Sequence, residues 1–148
     1  MGQHDEYGKV LLRELLGERW DDYAPERSVD ESGVRADLDG IIWSGSGETK
    51  EVQCAVEIEA RVYKQIRGAV VDLALHPAPK KLLVVIRAQP QLGGRDKILR
   101  HLRYVWEQVT FGRRGEFQLV CLEGTGDTPA EDKDKNILAE ALREMMVL

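Results

Sequence analysis

The sequence has no apolar run near the roughly 20 residues a membrane-spanning helix requires. Its opening, MGQHDEYGK, lacks both the basic segment and the apolar core of a signal peptide. These absences lead to the expectation of a cytoplasmic chain with no membrane partner. Cysteine is scarce: Cys54 and Cys121 each sit in an apolar strand pattern without CxxC spacing, which reads as two buried thiols rather than a disulfide or a metal pair. There is no zinc-ligand spacing, no P-loop and no Ser/His/Asp arrangement. His4, His76 and His101 are scattered and expected at the surface, whereas Trp20, Trp43 and Trp106 are expected to anchor the core or an interface. Nor is there a repeat or a linker, and 148 residues of which 43% are apolar suffice for a single domain over 1–148.

A net charge of −5 argues against a protein that coats nucleic acid without specificity, but it leaves a local basic face open. Acids collect in DDYAPERSVDES and DTPAEDKDKN. The middle of the chain holds Arg61, Lys64, Arg67, Lys80, Lys81, Arg87, Arg95, Lys97, Arg100, Arg103, Arg113 and Arg114.

Apolar positions at Tyr7, Val10, Leu11 and Leu15 predict a first helix over 5–17, with Glu14 inside its apolar stripe and Glu6 near the edge. A short strand is expected around ERSV at best. Residues 34–43 alternate Val34, Ala36 and Leu38 against Arg35, Asp37 and Asp39, the period of a strand. After the turn SGSGET, EVQCAVEIEA alternates Val52, Cys54, Val56 and Ile58 against Gln53, Ala55, Glu57 and Glu59. These two strands make a hairpin. Centred near Gly47, it pairs Ile42 with Val52 and Asp37 with Glu57, and sets Asp39 opposite Ala55 and Arg35 opposite Glu59. Val62, Ile66, Ala69, Val70 and Leu73 then predict a helix over 61–76, closed by HPAP. KKLLVVIRA reads as a strand buried on both faces and joined by a parallel crossover. A helix with Ile98, Leu102, Val105 and Val109 inward, the strand EFQLVCLEG and a last helix over 129–147 complete an α/β chain with a mixed sheet flanked by helices.

The hairpin carries Asp37, Asp39, Glu57 and Glu59 on one polar face. Like charges on facing strands repel, so such a cluster requires cations, protonation or hydrogen bonds. A solvated face paired to Arg35, Arg61 or Lys64 is one answer. A divalent cation is the other: Mg²⁺ takes one or two carboxylates and completes its shell with water and phosphate, which suits hydrolysis of a phosphodiester.

ADLDG at 36–40, the glycine-rich turn, VEIEA at 56–60, the helix that follows and the KKLLVVI strand together resemble the PD-(D/E)XK nuclease superfamily, whose restriction-endonuclease-like core runs αβββαβ. The resemblance covers about residues 5–88, with the C-terminal helix-strand-helix as an addition. It implies a DNA endonuclease dependent on Mg²⁺ or Mn²⁺. Asp37 matches the motif aspartate, with Asp39 the competing assignment; Glu57 matches the acid of the second half-motif; and Glu14 matches the acid of the first helix. Glu59 stands where the family usually has lysine, although some restriction enzymes carry an acid there, and it could serve as general base to the attacking water. Lys64 would be a lysine displaced to the following helix, but its position points to solvent, whereas Gln65 lies on the flank aimed at the sheet. Arg61, Lys64 and Arg67 form a row suited to DNA phosphates. With little room for a DNA-reading module, a homodimer or a partner subunit would supply specificity. The alternative is a catalytically inactive nuclease-like domain acting as a binding or assembly module.

Overall fold

The computed structural model describes residues 3–45, 47–61, 64–86, 94–111 and 115–148. Val62 of the expected helix stripe, Ser46 of the SGSGET turn, and Arg87, Arg113 and Arg114 lie outside these residues. Helices α1 (Gln3–Leu16), α2 (Lys64–Leu75), α3 (Gly94–Thr110) and α4 (Glu131–Glu144) flank a mixed sheet of β1 (Trp20–Asp21), β2 (Gly40–Trp43), β3 (Val52–Glu59), β4 (Lys80–Val85) and β5 (Glu116–Cys121). The strands lie in the order β1-β2-β3-β4-β5, with β1, β2 and β3 antiparallel in turn and β3, β4 and β5 parallel. No helix among the described residues is long and apolar enough to cross a membrane.

The sheet is apolar on both faces, as strands feeding parallel crossovers are. Ile42, Cys54, Val56, Ile58, Leu82 and Val84 pack with α1 and α4, while Ile41, Trp43, Ala55, Leu83 and Val85 pack with α2 and α3. Both cysteines are buried free thiols, and all three tryptophans are buried. On α3 the inner row is Ile98, Leu102, Trp106 and Thr110, with Val109 40% exposed. The indole replaces the expected valine because it stacks on Phe117 of β5.

The buried stripe of α1 is rotated from the expected one. Leu12 and Leu16 join Tyr7 and Leu11 in the core, while Val10 is 38% exposed. Gly8 permits this, because a Cβ there would come within 3.1 Å of Ile58 on β3. Bringing α1 this close to β3 carries Lys9 inward to 3% exposure and leaves Glu14 at the flank.

The hairpin differs from expectation in length and register. Strand β2 spans only Gly40–Trp43, because Asp37 has φ +49 and ends the extended run. Val34 and Arg35 belong instead to a tight return whose one bridge joins Val29 to Arg35, with Asp30 capping the turn through Ser32 and Val34. The ERSV segment holds a 3-10 turn at Pro25–Arg27, so the first strand is Trp20–Asp21. A bulge between Ile42 and Trp43 pairs Ile42 with Cys54 and Gly40 with Val56. Continuing that register sets Asp39, not Asp37, opposite Glu57. Gly40 is required where it stands, since a Cβ would overlap the Trp20 ring.

Candidate functional site

Glu57 of β3 meets Asp39 of the segment before β2 at one end of the sheet. Where β2 would have continued the ladder, the Asp39 side chain replaces it: the Ile58 N–H donates to Asp39 Oδ2 at 2.7 Å, and the Asp39 N–H donates to Glu57 Oε1 at 3.1 Å. The two carboxyls also hydrogen-bond to each other. Glu57 is 8% exposed, and Asp39 is half-buried.

A carboxyl pair in this setting does not ionise fully. Burial raises Asp39 to about 6; nearby Asp5 adds to this, while the Ile58 N–H and Lys9 oppose it. Burial raises Glu57 further, to about 10, aided by the charges of Asp39 and of Asp72 on α2. Near neutral pH the pair therefore holds one proton between its oxygens. The arrangement resembles two acids sharing a site, one kept neutral by the other.

Glu59 shares the face but not the pair. Its buried carboxylate is gripped by Arg61, with Nε at 2.6 Å and Nη2 at 3.0 Å on its two oxygens, and the Arg61 N–H donates a third bond at 3.1 Å. This fork geometry commits Arg61 to Glu59 rather than to an outside phosphate. Asp37, assigned above as first choice for the motif aspartate, is not brought to Glu57. Its side chain is 75% exposed and pairs with Arg35.

Glu14 is also placed elsewhere: it bonds Lys135 of α4 at 2.6 Å on the flank of α1. Gln65 is exposed rather than aimed at the sheet, because Ala74 joins Ile66, Ala69, Val70 and Leu73 and turns the α2 stripe away from it. Lys64 and Arg67 are exposed on α2, as their spacing implied. Lys97, Arg100 and Arg103 recur every three residues along α3; Arg103 is tied to the Phe117 carbonyl at 2.9 Å, which leaves Lys97 and Arg100 as the exposed members of that row.

One group was not singled out from the sequence. Lys9 enters from α1, beside Asp39, and lines with it a cleft of about 590 Å³ between α1 and the segments around Tyr23 and Asp37. A lysine at 3% exposure beside an acid is a charge the fold holds in place. Its only sequence signal was a cation three residues before Leu12, visible once the stripe is centred on Gly8 and Leu12.

His76, expected at the surface, is instead buried. Its Nδ1 accepts from the Ala78 N–H at 3.0 Å, so Nε2 carries the hydrogen donated to the Arg27 carbonyl, and burial lowers its pKa. The buried Lys81 ammonium closes the end of α2 on the carbonyls of Leu73 and His76 at 2.9 Å each. Both are fold-holding roles. So is that of Asp134, fully buried and accepting from the Tyr7 hydroxyl at 2.6 Å and from the Glu123 and Gly124 N–H groups.

The Asp39–Glu57 pair suits a divalent cation in its donor chemistry. Two hard carboxylates hold a proton that an ion would displace, and Mg²⁺ asks for no more than one or two such ligands. Among the described residues, no group of three or more His, Cys, Asp or Glu side chains is gathered for a metal. Comparisons with protein-family models, characterised proteins and solved structures return no match, so the reading of this site rests on its own residues.

Proposed function

We propose that the chain is a metal-dependent phosphodiesterase acting on DNA, with Asp39 and Glu57 holding Mg²⁺ or Mn²⁺. The observation that carries this reading is the carboxyl pair itself, two acids on neighbouring segments locked by reciprocal bonds through Ile58 and Asp39 beside an open cleft. The finer fold assignment, a restriction-endonuclease-like core, belongs to the same proposal. It is supported by the order α1, β1, β2, β3, α2, β4 and by a sheet in which β2 alone runs against the other strands.

Bound at the pair, the ion supplies Lewis-acid stabilisation of the scissile phosphate and a water of lowered pKa. The chain's own residues do the rest. Asp39 and Glu57 give up their shared proton on binding, and the Ile58 N–H keeps the Asp39 carboxylate oriented. Lys9 lines the same cleft, and its positive charge acts on Asp39. Lys64 and Arg67, exposed on α2, contact the DNA backbone, and a second copy or a partner subunit supplies sequence preference.

One observation favours the alternative, a catalytically silent nuclease-like binding module: the Arg61 fork occupies the Glu59 carboxylate that would serve as base. Calorimetric titration with Mn²⁺ tests the site. Binding by the wild type and its loss in Asp39→Asn and Glu57→Ala is the expected result, and absence of binding in the wild type overturns the proposal. Incubation of plasmid with Mg²⁺ or Mn²⁺ then separates the two readings. Nicking absent from Glu57→Ala marks the enzyme, and metal binding without nicking marks the silent module.

A further inference from the structure

The two edges of the sheet are not alike. One is β1, two residues long; the other is β5, six residues in unbroken parallel register with β4 and last in the strand order. The Glu116 N–H donates to the Pro79 carbonyl and the Leu122 N–H to the Val85 carbonyl, which fixes the parity of the ladder. Even-numbered residues turn their backbone groups to β4, and Phe117, Leu119 and Cys121 turn theirs outward. The outward Phe117 carbonyl accepts from Arg103 Nη1 at 2.9 Å, but the Leu119 N–H and C=O, at the middle of the edge, have no partner among the described residues. Edges that stay single carry lysine, proline or a bulge. The stretch FQLVC has none of these.

Helix α3 continues the same edge above the sheet. It runs antiparallel to β5, as a parallel crossover requires, and its Trp106 lies over β4 and β5 together, stacked on Phe117 at 4.3 Å with the Lys81 ammonium 5.7 Å from the indole. Leu119 is about 6.6 Å further along the strand than Phe117, the rise of about four helical residues, so it stands abreast of Leu102 and Arg103. There Leu99, Arg100, Arg103, Tyr104 and Glu107 form with Leu119 a groove of about 430 Å³. Arg100 and Glu107 are exposed and have no ion-pair partner among the described residues, and Tyr104 is 59% exposed.

This surface is complementary to itself. A two-fold axis at Leu119 pairs its N–H and C=O with those of a second, antiparallel β5. The same axis meets α3 within about one residue of the point between Arg103 and Tyr104. It therefore sets Arg100 against Glu107 of the second copy, and Arg103 against the ring of Tyr104 of the second copy. Two helices that each lie over the last two strands of their own sheet come about 10 Å apart across a joined edge, an ordinary packing distance. The Phe117 oxygen has a second lone pair, so Arg103 can stay on it when another strand arrives. On the other face Val120, Ile137 and Ala141 flank the edge; Glu140 and Glu144 stay at the exposed rim, where salt screens their repulsion, and Glu144 is bonded to Gln118 at 2.6 Å.

We propose that β5 and α3 form the interface of a two-fold dimer, in which the five-stranded sheets of two copies join edge to edge at Leu119. The proposal does not depend on the phosphodiesterase reading. Sedimentation velocity of the full chain from about 1 μM to about 1 mM should show the wild type passing from monomer to dimer. Arg100→Glu and Glu107→Arg each create two like-charge contacts in a dimer of that variant, and each should raise Kd about tenfold or more. Mixed in equal amounts, the two variants should associate about as tightly as the wild type. In the mixed dimer the acid placed at position 100 of one chain faces the arginine placed at position 107 of the other, and the native Glu107 faces the native Arg100. Both side chains are exposed, and unchanged thermal melts at monomeric concentration check that the fold is intact. Hydrogen exchange read by mass spectrometry should protect the peptide holding Leu119 at dimeric concentration and release it on dilution. A wild type that stays monomeric to about 1 mM overturns the proposal. So does a dimer indifferent to both charge reversals, a mixture no tighter than its components, or a dimer whose Leu119 peptide exchanges as fast as the monomer's.

Discussion

Glu57→Gln should make the protein more stable, and increasingly so as pH rises. Glu57 has its pKa raised from 4.5 to about 10, chiefly by burial and then by Asp39. The folded state therefore keeps a proton that the unfolded chain releases above about pH 4.5. Because the native state binds more protons, unfolding free energy falls with pH across this window, by up to about 1.4 kcal/mol per pH unit. At pH 7 the cumulative cost is about 3 kcal/mol. Glutamine has the shape of the protonated acid: its carbonyl can accept the Asp39 N–H bond that Glu57 Oε1 accepts now, and its amide can donate to the Asp39 carboxyl. It needs no proton from solvent. Urea unfolding followed by circular dichroism across about pH 4.5 to 8.5 would check this. The two proteins should be close in stability at the acid end, and the variant should be ahead by up to about 3 kcal/mol near neutrality, or about 6–12 °C in Tm. Saturating Mn²⁺ should return part of that difference to the wild type alone, about 2.7 kcal/mol at a hundred times Kd. A wild-type stability that stays flat between about pH 5 and 8, or a glutamine variant weaker than the wild type at about pH 8, would refute the reasoning. An acid kept where an amide is more stable is the pattern expected where function, rather than folding, selects the residue.

Three further outcomes follow from the same geometry. Lys9→Met removes the cation that opposes protonation of Asp39, so the Asp39 carboxyl should titrate at higher pH in ¹³C NMR; an unmoved titration would separate Lys9 from the site. Tyr7→Phe should cost about 1–2 kcal/mol, and Asp134→Ala about 3 kcal/mol or more, by urea unfolding, because the latter strands the buried N–H donors of Glu123 and Gly124. Gly40→Ala should cost about 1–3 kcal/mol by pushing Trp20 off β2, and Mn²⁺ affinity should fall with it, since Asp39 immediately precedes the displaced residue; an unchanged melt would contradict the packing.

The acids of β3 were legible because strand alternation puts Glu57 and Glu59 on one face wherever the strand pairs. The choice between Asp37 and Asp39 was not. Both lie at the same parity, and only the bulge at Trp43 and the left-handed backbone at Asp37 decide which one reaches Glu57. Glu59 was read either as a base or as one of the acids paired to Arg35, Arg61 or Lys64, and only the folded chain decides between these: the arginine two residues on folds back over its carboxylate.

The sequence by itself determined the four helices, the strands β3, β4 and β5, the order in which they follow, and that acids would share a sheet face, because these depend on spacing within a few residues. The tertiary structure decided register, helix rotation and partner. Gly8 against Ile58 turned α1 until Lys9 faced the acids, and the exit of the chain before β2 opened the cleft under Tyr23. Such features depend on how close two distant segments can pack, and that distance is written in no single stretch of the chain.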